Sequence, residues 1–150
     1  MKKIVLSAIA LIVTGTLISF KLPTTKTSEV VAFQDANKGK AIYSKTCIAC
    51  HQANGQGIPN AFPPLAKSDY LNKDVSRAIK VVLNGLSGPV TVNGKKFNSV
   101  MTSQNLTDQE ISDVLTYVYN SWGNNKTKVT PEMVKTQRAK PAPKAKDMHE

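Results

Sequence analysis

The chain has 150 residues, a formal net charge of +10 and only two cysteines and two histidines. A chain of this length holds one small domain. The closed four-ligand geometry of a structural zinc site lacks partners, because the only histidine outside residues 47–51 is His149, at the far end of a polar tail. The basic excess lies largely in the terminal segments without interleaved aromatic residues, so a nucleic-acid partner is not expected.

The N-terminal segment predicts export. Lys2 and Lys3 precede a nearly unbroken apolar run over residues 4–20, as in the charged and apolar regions of an export signal. Residues 1–22 are interpreted as an export signal or as an N-terminal membrane anchor that contacts the membrane through 4–20, and residues 23–33 as an unpacked linker. Both interpretations place the following domain in the periplasm or at the outer face of the inner membrane.

The first helix is predicted from Ala36 towards Cys47, with Asp35 as its N-cap. Gly39 and Tyr43 lie one turn apart on one face of this helix. A glycine within a helix costs about 1 kcal/mol relative to alanine, so Gly39 indicates either a tolerated residue or the close approach of another backbone.

The motif Cys47-Ile48-Ala49-Cys50-His51 is typical of the covalent attachment of a c-type haem. Each thiol can add across one vinyl group of the porphyrin, and the histidine follows where its ring can bind the iron as proximal ligand. The alternatives are a zinc half-site and a redox dithiol. The first lacks further ligands, and the second would need alternating strands and helices, whereas the flanks favour helix.

The glycine- and proline-rich stretch 52–64 predicts a loop. A backbone carbonyl of Pro63 or Pro64 is expected to accept a hydrogen bond from the second ring nitrogen of His51, which fixes the tautomer. Phe62 and Leu65 are candidates to pack against the haem. Tyr43 is assigned to the same pocket.

Three further elements are predicted from local patterns. A helix capped by Asn72 or Asp74 carries an apolar stripe and ends at Asn84-Gly85. Asn93-Gly94 is the turn of a small hairpin over 90–97, which also offers Phe97 to the pocket. The last helix opens with a capping box at residues 107–110 and ends near Trp122, and the Lys- and Pro-rich tail 124–150 is predicted to be disordered after a short turn at 131–134.

The sixth iron ligand is predicted to be Met101. The other candidates are Met133, Met148 and His149, which all lie in the C-terminal tail. Met101 comes 50 residues after His51 (101 − 51) and just before the last helix, so the chain can pass around a porphyrin and present the thioether from the opposite face. A His/Met pair favours ferrous iron and raises the reduction potential.

With these residues the pattern resembles a class I cytochrome c over residues 34–123. The resemblance rests on Gly39 and Tyr43, the haem motif, the proline loop, Met101 and residues 114–117 of the last helix. It implies an all-α fold of three to four helices around one covalently attached haem c. Residues 54–66 and 84–94 are similar to monohaem modules that accompany or are fused to copper nitrite reductases, membrane dehydrogenases and terminal oxidases.

The predicted function is one-electron transfer rather than catalysis of a bond-making reaction. The expected donors are a dehydrogenase or a quinol-oxidising complex, and the expected acceptors are a nitrite reductase or a terminal oxidase. The positive charge is interpreted as a solvated surface or as a rim that steers an acidic redox partner. The alternative function is a haem enzyme or gas sensor with an open sixth coordination site, in which Met101 would not bind the iron.

Overall fold

The computed structural model describes residues 27–142, with the side chains described from residue 37 onward. The predicted export signal and residues 143–150, which include the candidate ligands Met148 and His149, lie outside the described residues. Within residues 27–142 no helix is long and apolar enough to cross a membrane.

The described residues form six helices and one two-stranded hairpin, which confirms the all-α class with a small flap, although two of the helices are short. The helices are α1 (Thr27–Thr46), α2 (Ile48–His51), α3 (Asp69–Lys73), α4 (Val75–Asn84), α5 (Asp108–Tyr119) and α6 (Pro131–Arg138), and the strands are β1 (Val90–Val92) and β2 (Lys95–Phe97).

The first and last long helices cross at Gly39. A side-chain carbon added there would overlap the backbone carbonyl of Asp113 and would lie 2.7 Å from the Cβ of Tyr117. The close backbone approach inferred from the sequence is therefore confirmed. Below the crossing, Tyr43 is 1% exposed and stacks against Tyr117 and Trp122, with ring centroids 5.6 and 5.1 Å away.

The predicted start of the first helix is wrong. Helix α1 begins at Thr27 and not after Asp35, so residues 27–33 of the predicted linker are helical. No glycine or proline separates Pro23 from Gly39. The backbone can therefore extend the helix through Asp35, and the capping preference of one aspartate does not interrupt it.

Helix α4 begins as predicted from Asp74, whose carboxylate accepts a hydrogen bond from the backbone N–H of Arg77 at 3.1 Å. It ends at Gly85, which has a φ of +80°. The short helix α3 before it was not predicted, although Ser68 caps it in the expected way by accepting from the Leu71 N–H at 3.2 Å.

The hairpin and the capping box are confirmed. Val90 pairs with Phe97 and Val92 with Lys95, and the turn residues Asn93 and Gly94 have φ values of +51° and +75°, as a type I′ turn requires. In α5, the Thr107 N–H donates to the Glu110 carboxylate while the Glu110 N–H donates back to the Thr107 hydroxyl.

The prediction of a disordered tail after residue 124 is wrong for the described part of that tail. Thr130 caps α6 and Pro131 stands in its first turn, a position that suits proline. Val129 and Val134 are 1% and 0% exposed and belong to the main core. Helix α6 packs against α4 and α5, and burial of these two valines holds it there although the tail as a whole is rich in lysine.

Candidate functional site

An apolar cleft of about 840 Å³, including its mouth, lies between the crossed helices and the loops that connect them. Its walls come from Cys47 and the end of α2, the proline loop, α3, α4, β1, the segment 101–106 and α5. Cys47 and His51 line this cleft together with Met101, which follows His51 by 50 residues in the sequence.

The two cysteines lie where α1 gives way to α2. Cys47 is the N-cap of α2, with φ of −115°, and its carbonyl accepts from the His51 N–H at 2.9 Å. Cys47 lines the cleft, whereas Cys50 lies one turn further on and is half-buried outside the lining. Burial raises the pKa of the Cys47 thiol, and the neighbouring Thr46 hydroxyl, 3.3 Å from the sulfur, opposes the rise.

His51 is oriented by the proline loop. Its Nδ1 lies 3.0 Å from the backbone oxygen of Pro63, so Pro63 rather than Pro64 supplies the predicted carbonyl. Because a carbonyl can only accept, Nδ1 carries the proton and Nε2 keeps its lone pair. Burial lowers the pKa of His51, although the Pro63 carbonyl opposes the shift, and the neutral ring is the form that binds a metal.

Met101 is held by the end of α4. Its N–H donates to the Leu86 carbonyl at 2.8 Å, and its own carbonyl accepts from the Leu86 N–H at 2.9 Å. The Met101 oxygen lies 2.5 Å from where a Cβ on Gly85 would be, so only glycine allows this approach. The Gln104 N–H adds a bond of 2.9 Å to the Val82 carbonyl. The loop that carries Met101 is thus hydrogen-bonded both to α4, at Val82, and to the residue that follows the Gly85 turn, Leu86.

The remaining predicted pocket residues divide into two groups. Pro63, Pro64 and Leu65 line the cleft. Tyr43, Phe62 and Phe97 are not among the residues that line it, and their place in a haem pocket stays a prediction.

Each of these three aromatic rings is used elsewhere. The Tyr43 hydroxyl donates to the Gln52 carbonyl at 2.7 Å beneath the haem motif. Phe62 closes a turn with Ile58, and Phe97 packs with Val90 and Val92 behind the hairpin.

The structure adds site residues that the sequence patterns did not indicate. Ser68 and Tyr70 line the cleft from α3, a helix whose only sequence signal was the serine three residues before Leu71. Asn124 is 8% exposed and bonds to the backbones of Leu65, Ser68 and Val118, which are wall residues. Arg77 is buried next to Tyr70.

The donor set fits a c-type haem. Cys47, His51 with a free Nε2 and Met101 line a cleft whose surface is almost entirely hydrocarbon, as a porphyrin face requires, and the second thiol, that of Cys50, lies one helical turn from Cys47. Among the described residues there is no group of three or more His, Cys, Asp or Glu that could hold a metal ion, so the zinc alternative finds no ligands there.

Comparisons with known proteins agree with this geometry. The cytochrome c family model matches residues 36–122. A cytochrome c-552 from Thermus thermophilus is 46% identical over 112 residues, which cover 68% of this chain and 85% of that protein.

Larger redox proteins contain similar segments. The cytochrome c subunit of a quinone alcohol dehydrogenase from Gluconobacter oxydans is 32% identical over 91 residues, 59% of this chain and 19% of that subunit. The CcoP subunit of a cbb3-type cytochrome c oxidase from Azospirillum brasilense is 30% identical over 94 residues, 59% of this chain and 29% of that subunit. The chain belongs to the cytochrome c family and transfers electrons through one covalently attached haem c.

Proposed function

We propose that this chain is a one-electron carrier in which Cys47 and Cys50 form the two thioether bonds to haem c and His51 and Met101 are the axial ligands. The observation that supports it is the placement of His51 and Met101 on one apolar cleft, each held by backbone hydrogen bonds. When bound, the haem supplies an iron that exchanges one electron between its ferric and ferrous states.

The protein's own groups keep both ligands in place. The Pro63 carbonyl fixes the tautomer and the ring orientation of His51. The two bonds between Met101 and Leu86 hold the thioether loop against α4. If His51 and Met101 both bound the iron, they would exclude small molecules from it, as a carrier requires. In the haem enzyme or gas sensor with an open sixth site, Met101 would not bind.

The partners of this carrier are redox proteins. We place it between a dehydrogenase or quinol-oxidising complex as donor and a terminal oxidase or nitrite reductase as acceptor. Two relatives support the dehydrogenase as donor and the terminal oxidase as acceptor, because one is named as a subunit of a dehydrogenase and the other as a subunit of an oxidase. The apolar run 4–20 supports export to the periplasm or to the outer face of the inner membrane, where such partners reside.

The axial assignment is tested by replacing Met101 with alanine in the holoprotein. We expect the Met101→Ala variant to lose the weak red absorption band of methionine-ligated ferric haem, to have a lower reduction potential and to bind CO rapidly when reduced. Loss of a neutral thioether removes the ligand that favours ferrous iron.

The matched control is Met133→Ala, because Met133 lies in α6 outside the cleft lining. This variant should keep the potential and the red band. The assignment is wrong if Met101→Ala and Met133→Ala behave alike, and the open-site alternative is supported if the unsubstituted protein already binds CO rapidly.

A further inference from the structure

Helix α6 lies outside the part of the chain that the cytochrome c family model matches, which ends at residue 122. It is nevertheless fixed on the domain, because Val134 is fully buried and the Gln137 amide donates to the Ser76 hydroxyl of α4 at 3.3 Å. Arg138, the last residue of α6, therefore extends from an anchored backbone. Its contacts are a feature that this additional helix brings to the domain.

The Arg138 guanidinium joins α6 to the chain just before α5. Its Nε donates to the Asp108 carboxylate at 2.7 Å, and one terminal nitrogen donates to the Leu106 carbonyl at 2.8 Å. An ion pair whose side chains are 46% and 30% exposed contributes little to stability by itself. The planar guanidinium, however, holds two acceptors at once, one on each side of Thr107, the N-cap of α5.

Leu106 is the last residue of the segment 101–106 and lines the cleft. The earlier part of this segment is hydrogen-bonded to the backbones of Leu86 and Val82, which lie at the end of α4 and just after it. The Leu106 carbonyl accepts from Arg138 instead. The segment is thus held at one end by the region of α4 and at the other end by a side chain of α6.

We propose that Arg138 is a positioning residue for Met101: it restrains the segment 101–106 against opening and so slows the departure of Met101 from the iron. The proposal rests on the proposed ligation by Met101. The segment must move away from the cleft before another ligand can replace the thioether, and a hydrogen bond at Leu106 opposes that local opening. The bonds between Met101 and Leu86 do not involve Arg138, so the reduction potential should change little.

The test compares Arg138→Leu with the unsubstituted holoprotein. Leucine removes all the donors of the guanidinium and keeps an apolar side chain that favours helix. Two measurements follow the segment. The first is amide hydrogen exchange of the Met101, Leu86 and Gln104 N–H groups, which donate the backbone bonds of the segment. The second is the limiting rate at which saturating imidazole displaces Met101 from the ferric haem.

In Arg138→Leu we expect both the hydrogen exchange and the limiting rate to become about fivefold faster. This is the effect of one charge-assisted hydrogen bond, reduced because the ion pair is partly exposed. If Arg138 only stabilised α6, neither measurement would change, since both report the opening of the segment 101–106.

The matched control is Lys135→Leu, which removes one positive charge from an exposed position on the same helix. It should leave the hydrogen exchange and the limiting rate unchanged. Arg138→Lys keeps the charge, but an ammonium group lacks the planar fork that holds both acceptors. This variant should therefore open faster than the unsubstituted protein and more slowly than Arg138→Leu.

The proposal is overturned if Arg138→Leu exchanges hydrogen and binds imidazole at the unsubstituted rates, or if Lys135→Leu accelerates both equally. Failure of the proposed function gives a different result. If the imidazole rate in the unsubstituted protein rises in proportion to concentration without reaching a limit, Met101 does not occupy the iron, and the ligation and the role of Arg138 both fall. The hydrogen exchange still shows separately whether Arg138 restrains the segment.

Discussion

At the scale of single residues, Asn124 connects more of the cleft wall than any motif residue does. Its amide oxygen accepts from the Ser68 N–H at 3.3 Å and from the Asn72 side chain at 3.1 Å. Its amide nitrogen lies 2.9 Å from the carbonyls of both Leu65 and Val118. One buried side chain thus joins the proline loop, α3 and α5, which are three separate parts of the wall.

Replacing Asn124 with alanine is expected to lower the free energy of unfolding by about 3 kcal/mol, because the buried Ser68 N–H and the half-buried Leu65 carbonyl lose their partner and the Val118 carbonyl loses one of its donors. Denaturant unfolding of the holoprotein measures the loss. Asn120→Ala is the control, since Asn120 is an exposed residue on the same turn and surface substitutions usually change stability by less than about 0.5 kcal/mol. Equal effects of the two substitutions would contradict the role assigned to Asn124.

Residues whose role is complete within a few positions were predictable from the sequence, whereas the role of Asn124 was not. The haem motif, the Asn93-Gly94 turn and the Thr107 capping box are complete within a few residues. The hydrogen bond between Asn124 and Leu65 spans 59 positions. It forms only because Trp122 and Gly123, with φ values of +52° and +80°, turn the chain back onto the wall.

At the scale of elements, α6 differs most from the prediction, which placed only a short turn at 131–134 in a disordered tail. Its buried side is formed by Val134 and Gln137, and the Gln137 amide donates to the Ser76 hydroxyl of α4 at 3.3 Å. At its end, Arg138 forms a 2.7 Å ion pair with Asp108 in the first turn of α5. The helix therefore ties α4 to α5 on the side away from the cleft lining.

The number of apolar residues on a helix explains which helices could be predicted from the sequence. Helices α4 and α5 carry long apolar stripes, and such stripes define a buried face without knowledge of the partner. Helix α6 has too few apolar residues for a stripe, and the start of α1 has no strong signal at all. Their boundaries depend on tertiary packing and on the absence of helix breakers, which local patterns do not encode.

Val134→Ala is expected to destabilise the protein by about 2 kcal/mol, through two lost methyl groups and the cavity they leave. Because α6 contributes no residue to the cleft lining, the reduction potential should change little. Thermal unfolding and voltammetry measure the two quantities. Lys135→Ala, on the exposed side of the same helix, should alter neither. A potential that falls together with the stability would show that α6 also shapes the haem site.

At the scale of the whole molecule, the charge is distributed unevenly. We define the ligand face as residues 48–66 and 97–107, the two loop segments that carry the proposed axial ligands. They contain no Lys, Arg, Asp or Glu, although the chain has 30 such residues. The Ser99 hydroxyl donates to the Ala61 carbonyl at 2.6 Å and joins the two segments. Ile58 and Val100 on this face are 36% and 68% exposed.

This distribution favours an uncharged contact over a positive rim around the ligands. If electrons enter and leave through the ligand face, association there is governed by the apolar contact of Val100 and Ile58. The Lys and Arg residues elsewhere contribute a diffuse potential that salt screens within about 10 Å. Electron transfer between two copies of the chain should therefore depend only weakly on ionic strength.

Electron self-exchange, measured by NMR in mixtures of oxidised and reduced holoprotein, tests this distribution. Val100→Lys places like charges opposite each other in the encounter complex. Their repulsion of about 1 kcal/mol at close contact in water should slow the exchange about fivefold, and added salt should restore it. The control is Thr136→Lys, which adds the same charge to an exposed position on α6 and should leave the rate nearly unchanged. If Thr136→Lys slows the exchange as much as Val100→Lys does, electrons do not pass through the ligand face, and the net charge of the molecule controls the encounter instead.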